Sequence, residues 1–238
     1  GNLEGVAVLA DTFWAAQQGR KLLEIKWSDS PLAGFDSEQL FSAQAKAIGD
    51  PQAQTVKAMT QGDVAGQWAG AAKLIEADYT MPYKVQNPLE PICITAQVKD
   101  KAITYWGGVQ VPSSALEAAQ TVCGIDKANV TIHELVSGGS FGAREAKYWL
   151  FEVAYLAQKT GVPVKLLNSR EDEMHALFNH PATLHRVKGA VDAQGKLSAL
   201  QLHAVSPASP EQWEPGYFER PDKMDYSTTE SITSWDFA

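Results

Sequence analysis

Short apolar runs and longer amphipathic stretches alternate along the chain, and this alternation predicts an α+β fold. Apolar runs typical of strands occupy residues 92–98, 102–107, 130–136 and 164–168. Helical spacing occupies residues 36–48, 144–160 and a stretch that ends at residue 122, with Ser113 or Ser114 as its expected N-cap. We expect the four strands to form one mixed sheet with the 144–160 helix packed on it. Hairpins occur beside β-loop-α units, so the pattern argues against a purely doubly wound sheet.

The beginning of the chain has a separate β-α-β pattern. Residues 6–10 and 22–27 are strand-like, and the helix between them has Asp11 as its expected N-cap and a stop at Gly19. The polar stretch over residues 49–70 predicts a linker or lid. We therefore expect a domain boundary near residue 60.

The second half of the chain adds a further hairpin and then loses its periodicity. Residues 187–191 and 197–205 alternate as two strands around a turn, and residues 72–79 are also strand-like. Beyond residue 206 the sequence is rich in Pro, Glu, Ser and Trp. We divide the chain into residues 1–60, residues 61–206 and an irregular tail at 207–238.

The most informative motif is the sequence Gly-Gly-Ser-Phe-Gly-Ala-Arg-Glu at residues 138–145, between a predicted strand and a predicted helix. Glycines let the backbone approach a ligand closely, and the N–H groups at a helix start favour negative charge. The spacing matches neither the dinucleotide pattern nor a phosphate-binding P-loop. The motif alone therefore predicts a loop that binds a phosphate or an oxo-anion, without identifying which.

Composition and residue spacing argue against several kinds of partner and binding site. The 238 residues are 45% apolar with net charge −8, and the basic residues are scattered, which argues against nucleic acid or an anionic membrane as partner. No apolar run is long enough to span a membrane, and no signal-peptide pattern is present. The five histidines and two cysteines show no metal-ligand spacing, so we expect no metal bound by protein side chains. The compartment, cytoplasm or periplasm, stays open.

Several further motifs stand in register with the glycine loop. They are Asn87-Pro88-Leu89-Glu90-Pro91, Gln110-Val111-Pro112, Gly161-Val162-Pro163-Val164-Lys165, Ser169-Arg170-Glu171-Asp172-Glu173-Met174 and Asn179-His180-Pro181. In this order and spacing they resemble the molybdenum-binding subunit of the xanthine dehydrogenase and aldehyde oxidase family, most closely the bacterial isoquinoline 1-oxidoreductase beta-subunit type. The resemblance runs from residue 5 to residue 205.

The resemblance implies a fold and a cofactor. The β-α-β opening corresponds to part of a hammerhead-like domain, and the mixed sheet to the first half of a molybdopterin-binding domain. The implied cofactor is molybdopterin, with its dinucleotide form left open. The implied cofactor-binding residues are Gln110, Gly139, Ser140, Phe141, Gly142 and Arg144. Glu145 is the implied candidate for the substrate cavity, and Ser140 departs from the glycine that is usual in the family.

The resemblance also implies an activity and partners. Family members oxidise an aldehyde or an N-heteroaromatic carbon with water as the oxygen source and pass electrons to a separate, small iron–sulfur subunit. Two cysteines are too few for such clusters, which need about four each. The family's general base is a glutamate in the C-terminal half of the subunit, and nothing after residue 206 matches it. We expect this chain to be the N-terminal part of a longer subunit, to hold no catalytic residue and to be inactive alone.

Each motif also has an ordinary structural explanation. A glutamine such as Gln110 at a strand end is usually a surface residue, and Phe141 is expected to anchor the loop in the core. The run 170–173 is expected to be a solvated helix start, and Glu145 to be an acidic residue favoured by a helix N-terminus. Two other functions therefore stay open: a nucleotide-phosphate site in an α/β transferase, and an interaction fragment with no ligand site.

Overall fold

The computed structural model describes residues 5–29, 33–53, 55, 57, 59–176 and 179–207. The chain forms two compact units, each built from two separate stretches: Gly1–Ala33 with Val85–Phe178, and Gly34–Lys84 with Asn179–Ala238. This grouping differs from the sequential division at residues 60 and 206, which stays a prediction. Almost all of the predicted tail lies outside the described residues.

Six α-helices and nine strands are formed in the described ranges. The helices are α1 (Phe13–Lys21), α2 (Ser37–Gly49), α3 (Val64–Ala69), α4 (Pro112–Cys123), α5 (Tyr148–Thr160) and α6 (Arg170–Ala176). The strands are β1 (Lys73–Met81), β2 (Lys84–Val85), β3 (Cys93–Lys99), β4 (Ala102–Gly107), β5 (Val130–Glu134), β6 (Val164–Leu167), β7 (Asn179–His180), β8 (Thr183–Val191) and β9 (Leu197–Val205). Short 3-10 turns cover Lys127–Asn129 and Ala143–Glu145. None of these helices is long and apolar enough to cross a bilayer.

The first unit is built on a four-stranded sheet in the order β5-β4-β3-β6. Strand β4 runs parallel to β5, and β3 is antiparallel to both β4 and β6. The expected single mixed sheet is therefore confirmed. Alternate residues such as Ile94 and Tyr105 are fully buried and share a core with Trp149 and Leu150 of α5. Burying each such large side chain contributes roughly 1.5–3 kcal/mol, which explains why α5 packs on this sheet as expected.

The second unit is an antiparallel sheet in the order β1-β8-β9. The predicted hairpin is confirmed as β8 and β9, and β1 pairs with β8 from Lys73 opposite Val191 to Met81 opposite Thr183. Helix α2 contacts β8 and β9, and its buried Gln44 donates from Nε2 to the Ala182 carbonyl at 2.9 Å. The two-residue strands β2 and β7 pair separately.

Two expected strands of the β-α-β opening are absent from the described residues. Residues 6–10 and 22–27 have no ladder partner there, and most of them are exposed. An apolar run becomes a strand only where a partner satisfies its backbone groups, which the sequence pattern alone does not provide. Helix α1 is present, but its N-cap is Thr12 rather than Asp11, with the Thr12 hydroxyl accepting from the Ala15 N–H at 3.2 Å.

Two other details differ from the sequence pattern. Helix α4 begins at Pro112, with Val111 as an N-cap that makes no side-chain bond, so neither Ser113 nor Ser114 caps it. Proline is favoured at the first helical position because its missing N–H would have no partner there. The predicted linker contains α3, which Asp63 caps by accepting from the Gly66 N–H. A local polar cap therefore supports a helix inside a polar stretch.

Candidate functional site

The glycine loop that joins β5 to α5 has an unusual backbone. Gly139, Phe141 and Gly142 have positive φ angles of 98°, 54° and 91°. For phenylalanine this conformation costs on the order of 1–3 kcal/mol and marks a position fixed by its surroundings. The Phe141 side chain is 68% exposed, so the expectation that it anchors the loop in the core is wrong.

The loop does not lead directly into a helix, contrary to the predicted start at residue 144. Gly142 opens the 3-10 turn Ala143–Glu145, and Ala146 then adopts an extended ψ of 127° before α5 begins at Tyr148. The extended residue interrupts the α-helical hydrogen bonds, which the amphipathic spacing could not show. Glu145 is therefore not in the first turn of α5, and the helix dipole does not explain its position.

Gln110 lies against this loop, although thirty positions separate it from Ser140. Its amide oxygen accepts a hydrogen bond from the Ser140 hydroxyl, and its Nε2 donates to Glu145 Oε1 at 2.8 Å. Gln110 and the glycine loop, which the resemblance implies as parts of one cofactor site, are therefore in direct contact. The amide group of glutamine has two N–H donors, and Glu145 uses one of them.

Ser140 uses its hydroxyl twice. It donates to Gln110, and it accepts from the Arg144 backbone N–H at 3.0 Å. The residue that departs from the family's usual glycine thus joins the end of β4 to the 3-10 turn. Because its φ is not positive, the loop does not require glycine at this position.

Arg144 supports the loop from the interior. It is only 2% exposed, and its Nε donates to the Gly139 carbonyl at 2.9 Å. Its Nη2 donates to the Glu90 carbonyl at 3.0 Å and to Glu90 Oε2 at 3.1 Å. The guanidinium is thus bound to protein acceptors, and the loop carbonyl of Gly139 is fixed by it.

Glu90 pairs with the first glycine of the loop through both backbone and side chain. Its N–H donates to the Gly138 carbonyl at 3.2 Å, and its Oε2 accepts from the Gly138 N–H at 2.6 Å. A Cβ atom on Gly138 would lie 2.6 Å from the Glu90 Cβ. This close approach explains the glycine at 138. It also places the motif 87–91 against the glycine loop, a position that the sequence did not indicate.

The charged run 170–173 begins helix α6 as expected, but it is not solvated throughout: Glu171 is exposed, whereas Glu173 is buried. Glu173 is fully buried; its Oε1 accepts from the Ile92 N–H at 2.5 Å, and its Oε2 accepts from Arg170 at 2.9 Å. Asp172 pairs with Arg20, which holds the pKa of this aspartate below its usual value. The i,i+3 spacing of Arg170 and Glu173 is the only sequence signal of this arrangement.

The loop presents hydrogen-bond donors to solvent. The N–H groups of residues 139–142 meet no acceptor in the part of the chain that the structure describes. Consecutive N–H groups in left-handed and turn conformations form concave anion sites. With the second N–H of Gln110, they suit a ligand that is rich in negatively charged oxygen.

A small cleft lies beside Glu90 on the sheet. Its volume is about 150 Å³, and its lining includes Thr95, Trp106, Leu135 and Lys165. Pockets that enclose a whole cofactor are usually about 300–1,000 Å³, so this cleft is too small for one. No group of three or more His, Cys, Asp or Glu side chains within the described ranges could hold a metal ion.

Solved structures share this fold. A quinoline 2-oxidoreductase from Pseudomonas putida 86 aligns with a TM-score of 0.58 and 17% identity, over 82% of this chain and 25% of its own. An aldehyde oxidoreductase from Desulfovibrio gigas aligns with a TM-score of 0.53 and 22% identity, over 61% of this chain and 16% of its own. At such identities the likeness shows the fold alone.

The sequence relatives, like the solved structures, are dehydrogenases or oxidoreductases by name. A subunit of nicotinate dehydrogenase from Pseudomonas putida is 24% identical over 86% of this chain and 17% of its own length. The beta subunit of isoquinoline 1-oxidoreductase from Brevundimonas diminuta is 26% identical over 85% of this chain and 27% of its own length. The chain thus spans about a quarter or less of the length of these relatives.

A family model described as a molybdopterin cofactor-binding domain matches residues 48–220. The match includes the segment 87–92, Gln110, the glycine loop and α6. Since it extends over more than half of the sequence, the chain belongs to the molybdopterin cofactor-binding domain family.

Proposed function

We propose that the glycine loop and Gln110 bind the molybdopterin cofactor of an oxidoreductase that oxidises an aldehyde or an N-heteroaromatic carbon with water. The observation that carries this proposal is the junction of Gln110, Ser140 and Glu145 at a loop with unused N–H donors. The names of the relatives, nicotinate dehydrogenase and isoquinoline 1-oxidoreductase, favour N-heteroaromatic substrates. Because aldehyde oxidases are also among the relatives, the proposed substrates include aldehydes.

The donor set of the site fits an oxygen-rich anionic group. Gly139 and Gly142 have no side chain to block an approach along the backbone, and Gly142 has open space where a Cβ would point. Glu90 adds little repulsion, because its carboxylate already pairs with Arg144 and the Gly138 N–H. The backbone N–H groups of residues 139–142 and the second N–H of Gln110 would hold the cofactor.

When bound, the cofactor supplies the two-electron redox chemistry, and this chain supplies orientation. Glu145 holds the Gln110 amide in one rotamer, so its remaining N–H has a fixed direction. Preorganised donors of this kind lose little free energy to reorganisation during the reaction. Exposed Phe141, next to these donors, is suited to cover them with an apolar ring and to exclude water.

The full activity requires partners. We propose that the remaining C-terminal part of the same subunit supplies the general base, and that a separate, small iron–sulfur subunit accepts the electrons. The small share of the relatives' length that this chain covers supports the first part. The word "subunit" in the names of the nicotinate, isoquinoline and 6-hydroxypseudooxynicotine enzymes supports the second.

Gln110→Ala in the complete enzyme, with its iron–sulfur subunit, tests the proposal. We expect roughly a hundred- to a thousand-fold lower kcat with a smaller change in KM, because removal of one preorganised donor has an effect of this size. Gln158→Ala is the matched control, since Gln158 also donates from Nε2 to a protein oxygen, the Cys123 carbonyl at 3.1 Å, and does not contact the loop.

Pterin content gives a second measurement. The wild-type subunit should retain a pterin on purification, and Gln110→Ala should lower the amount. Unchanged turnover in Gln110→Ala would contradict the assignment. Protection of the loop from proteolysis by ATP or NAD, with no pterin present, would instead favour a nucleotide site.

A further inference from the structure

The segment from Asn87 to Ile92 is held from two sides. The glycine loop and Arg144 bind its centre at Glu90, and Arg170 and Glu173 of α6 bind its two ends. Among the described residues no hydrogen bond joins α6 directly to the glycine loop, whereas hydrogen bonds join each of them to this segment. The Arg170–Glu173 pair, of which only Glu173 is fully buried, is thus connected to the proposed cofactor site through this one segment.

Arg170 fixes the beginning of the segment. Its Nη2 donates to the Pro88 carbonyl at 2.6 Å and to the Leu89 carbonyl at 3.0 Å, and its Nη1 donates to the Asn87 side chain. Asn87 has a positive φ of 47°, a conformation that asparagine tolerates better than most residues. A planar guanidinium can satisfy several acceptors at fixed angles, which the ammonium group of lysine cannot do.

Glu173 fixes the other end. It accepts from the Ile92 N–H and from Arg170, so one carboxylate joins both ends of the segment. Arg170 is 36% exposed, and an ion pair that water can reach on one side contributes little to stability. Stability alone is therefore a weak reason for this pair, whereas its fixed geometry is a direct one.

Glu90 connects the segment, which is fixed at both ends, to the glycine loop. Leu89, its neighbour in sequence, is bound by Arg170, and Ile92 is bound by Glu173. Between them, Glu90 makes both backbone and side-chain bonds to Gly138. A Cβ on Gly138 would lie only 2.6 Å from the Glu90 Cβ, which leaves little room for either backbone to shift.

We propose that Arg170 and Glu173 are positioning residues that set the conformation of the glycine loop through Glu90. Their consequence for cofactor binding rests on the proposed function of the loop, whereas the mechanical coupling does not. The pair acts without contact to the ligand: it holds the segment 87–92, that segment holds Gly138, and the donors of residues 139–142 keep their directions.

Amide hydrogen exchange in the 238-residue chain, measured by NMR, tests the coupling without any cofactor. In Arg170→Lys we expect the Gly138 amide to exchange up to about tenfold faster, which corresponds to weakening one hydrogen bond by about 1.4 kcal/mol. Amides at the centres of β3 and β4 should keep their rates. Glu173→Gln has nearly the same volume but cannot accept from both Ile92 and Arg170, and it should give the same change.

Arg186→Lys is the matched control. Arg186 forms a two-pronged pair with Asp78 at 2.8 Å in the second unit and is about as exposed as Arg170, 31% against 36%. It should leave the Gly138 amide unchanged. A general loss of stability would raise exchange in β3 and β4 as well, and would thus differ from a local effect on the loop.

A double-mutant cycle separates positioning from independent stabilisation. If Arg170 acts through Glu90, Arg170→Lys should change Gly138 exchange far less in a Glu90→Gln background than in the wild type. Additive effects, or an unchanged Gly138 amide in both α6 variants, would overturn the proposal. Absence of pterin from the wild-type subunit would refute the proposed function instead, and the exchange result would still decide the coupling.

Discussion

Replacement of Arg144 by methionine is the strongest test of how the glycine loop is supported. Methionine keeps an unbranched chain of similar length but removes every hydrogen bond of the guanidinium. Those bonds reach the Gly139 carbonyl, the Glu90 carbonyl and the Glu90 carboxylate, at 2.9–3.1 Å. The change therefore removes the interior support of the loop while leaving little empty space.

The expected loss follows from the exposure of each partner. Each bond that the charged guanidinium donates to a carbonyl contributes about 1.5–3 kcal/mol. The ion pair contributes only about 0.2–1 kcal/mol, because the Glu90 side chain is 45% exposed and water can replace the guanidinium there. The total is about 3–7 kcal/mol, and for a chain of this size each kcal/mol lowers Tm by about 2–4 °C.

Thermal unfolding followed by circular dichroism measures this loss, with Lys147→Met as the control. Lys147 is close in sequence and pairs with Glu117 at 3.0 Å, but both side chains are more than one-third exposed. An exposed pair contributes about 0–1 kcal/mol. We expect Arg144→Met to lower Tm clearly more than Lys147→Met. Equal shifts in the two variants would refute the view that Arg144 supports the loop from the interior.

Two further changes have defined outcomes. Gly138→Ala should destabilise the chain in urea by about 1–3 kcal/mol, because its Cβ would overlap the Glu90 Cβ; Gly49→Ala, which has open space, should not, and equal effects would remove the steric argument. Glu152→Gln should raise Tm at pH 7, since burial raises the pKa of Glu152 and its ionised form is therefore disfavoured in the folded state. This gain should shrink as the pH falls and vanish below about pH 4, where the folded and unfolded carboxyl groups are both protonated; a gain independent of pH would contradict it.

The sequence was sufficient to predict which segments form the sheet of the first unit. Strands β3 to β6 are short apolar runs bounded by turn residues, and buried positions alternate along β3 and β4. The same kind of run at residues 6–10 and 22–27 did not become a strand, because a strand depends on a partner elsewhere in the chain. Periodicity describes a segment, whereas pairing is a property of two segments.

The site was predictable in part for a similar reason. The glycine loop was found from its position between a predicted strand and a predicted helix, whereas Gln110 was implied only by the family resemblance. The burial of Glu173 and the exposure of Phe141 were missed, because each runs against the usual preference of its residue type. The burial of Glu173 depends on its distant partner, the Ile92 N–H. The exposure of Phe141 depends on the left-handed conformation of its own backbone. No local sequence pattern encodes either feature.

The pairing of β1 with β8 has a consequence for synthesis of the chain. Strand β1 must wait for roughly a hundred more residues before its partner is made, a delay of about 5–20 s at ribosomal speeds of about 5–20 residues per second. Strands β3, β4, β5 and β6 occupy one continuous stretch and need no later segment to pair. The first sheet can thus form on the ribosome while β1, with its exposed Leu74 and Ile75, is still an unpaired apolar strand. An unpaired apolar strand is open to association with other chains, and slower translation of residues 85–178 would prolong that interval.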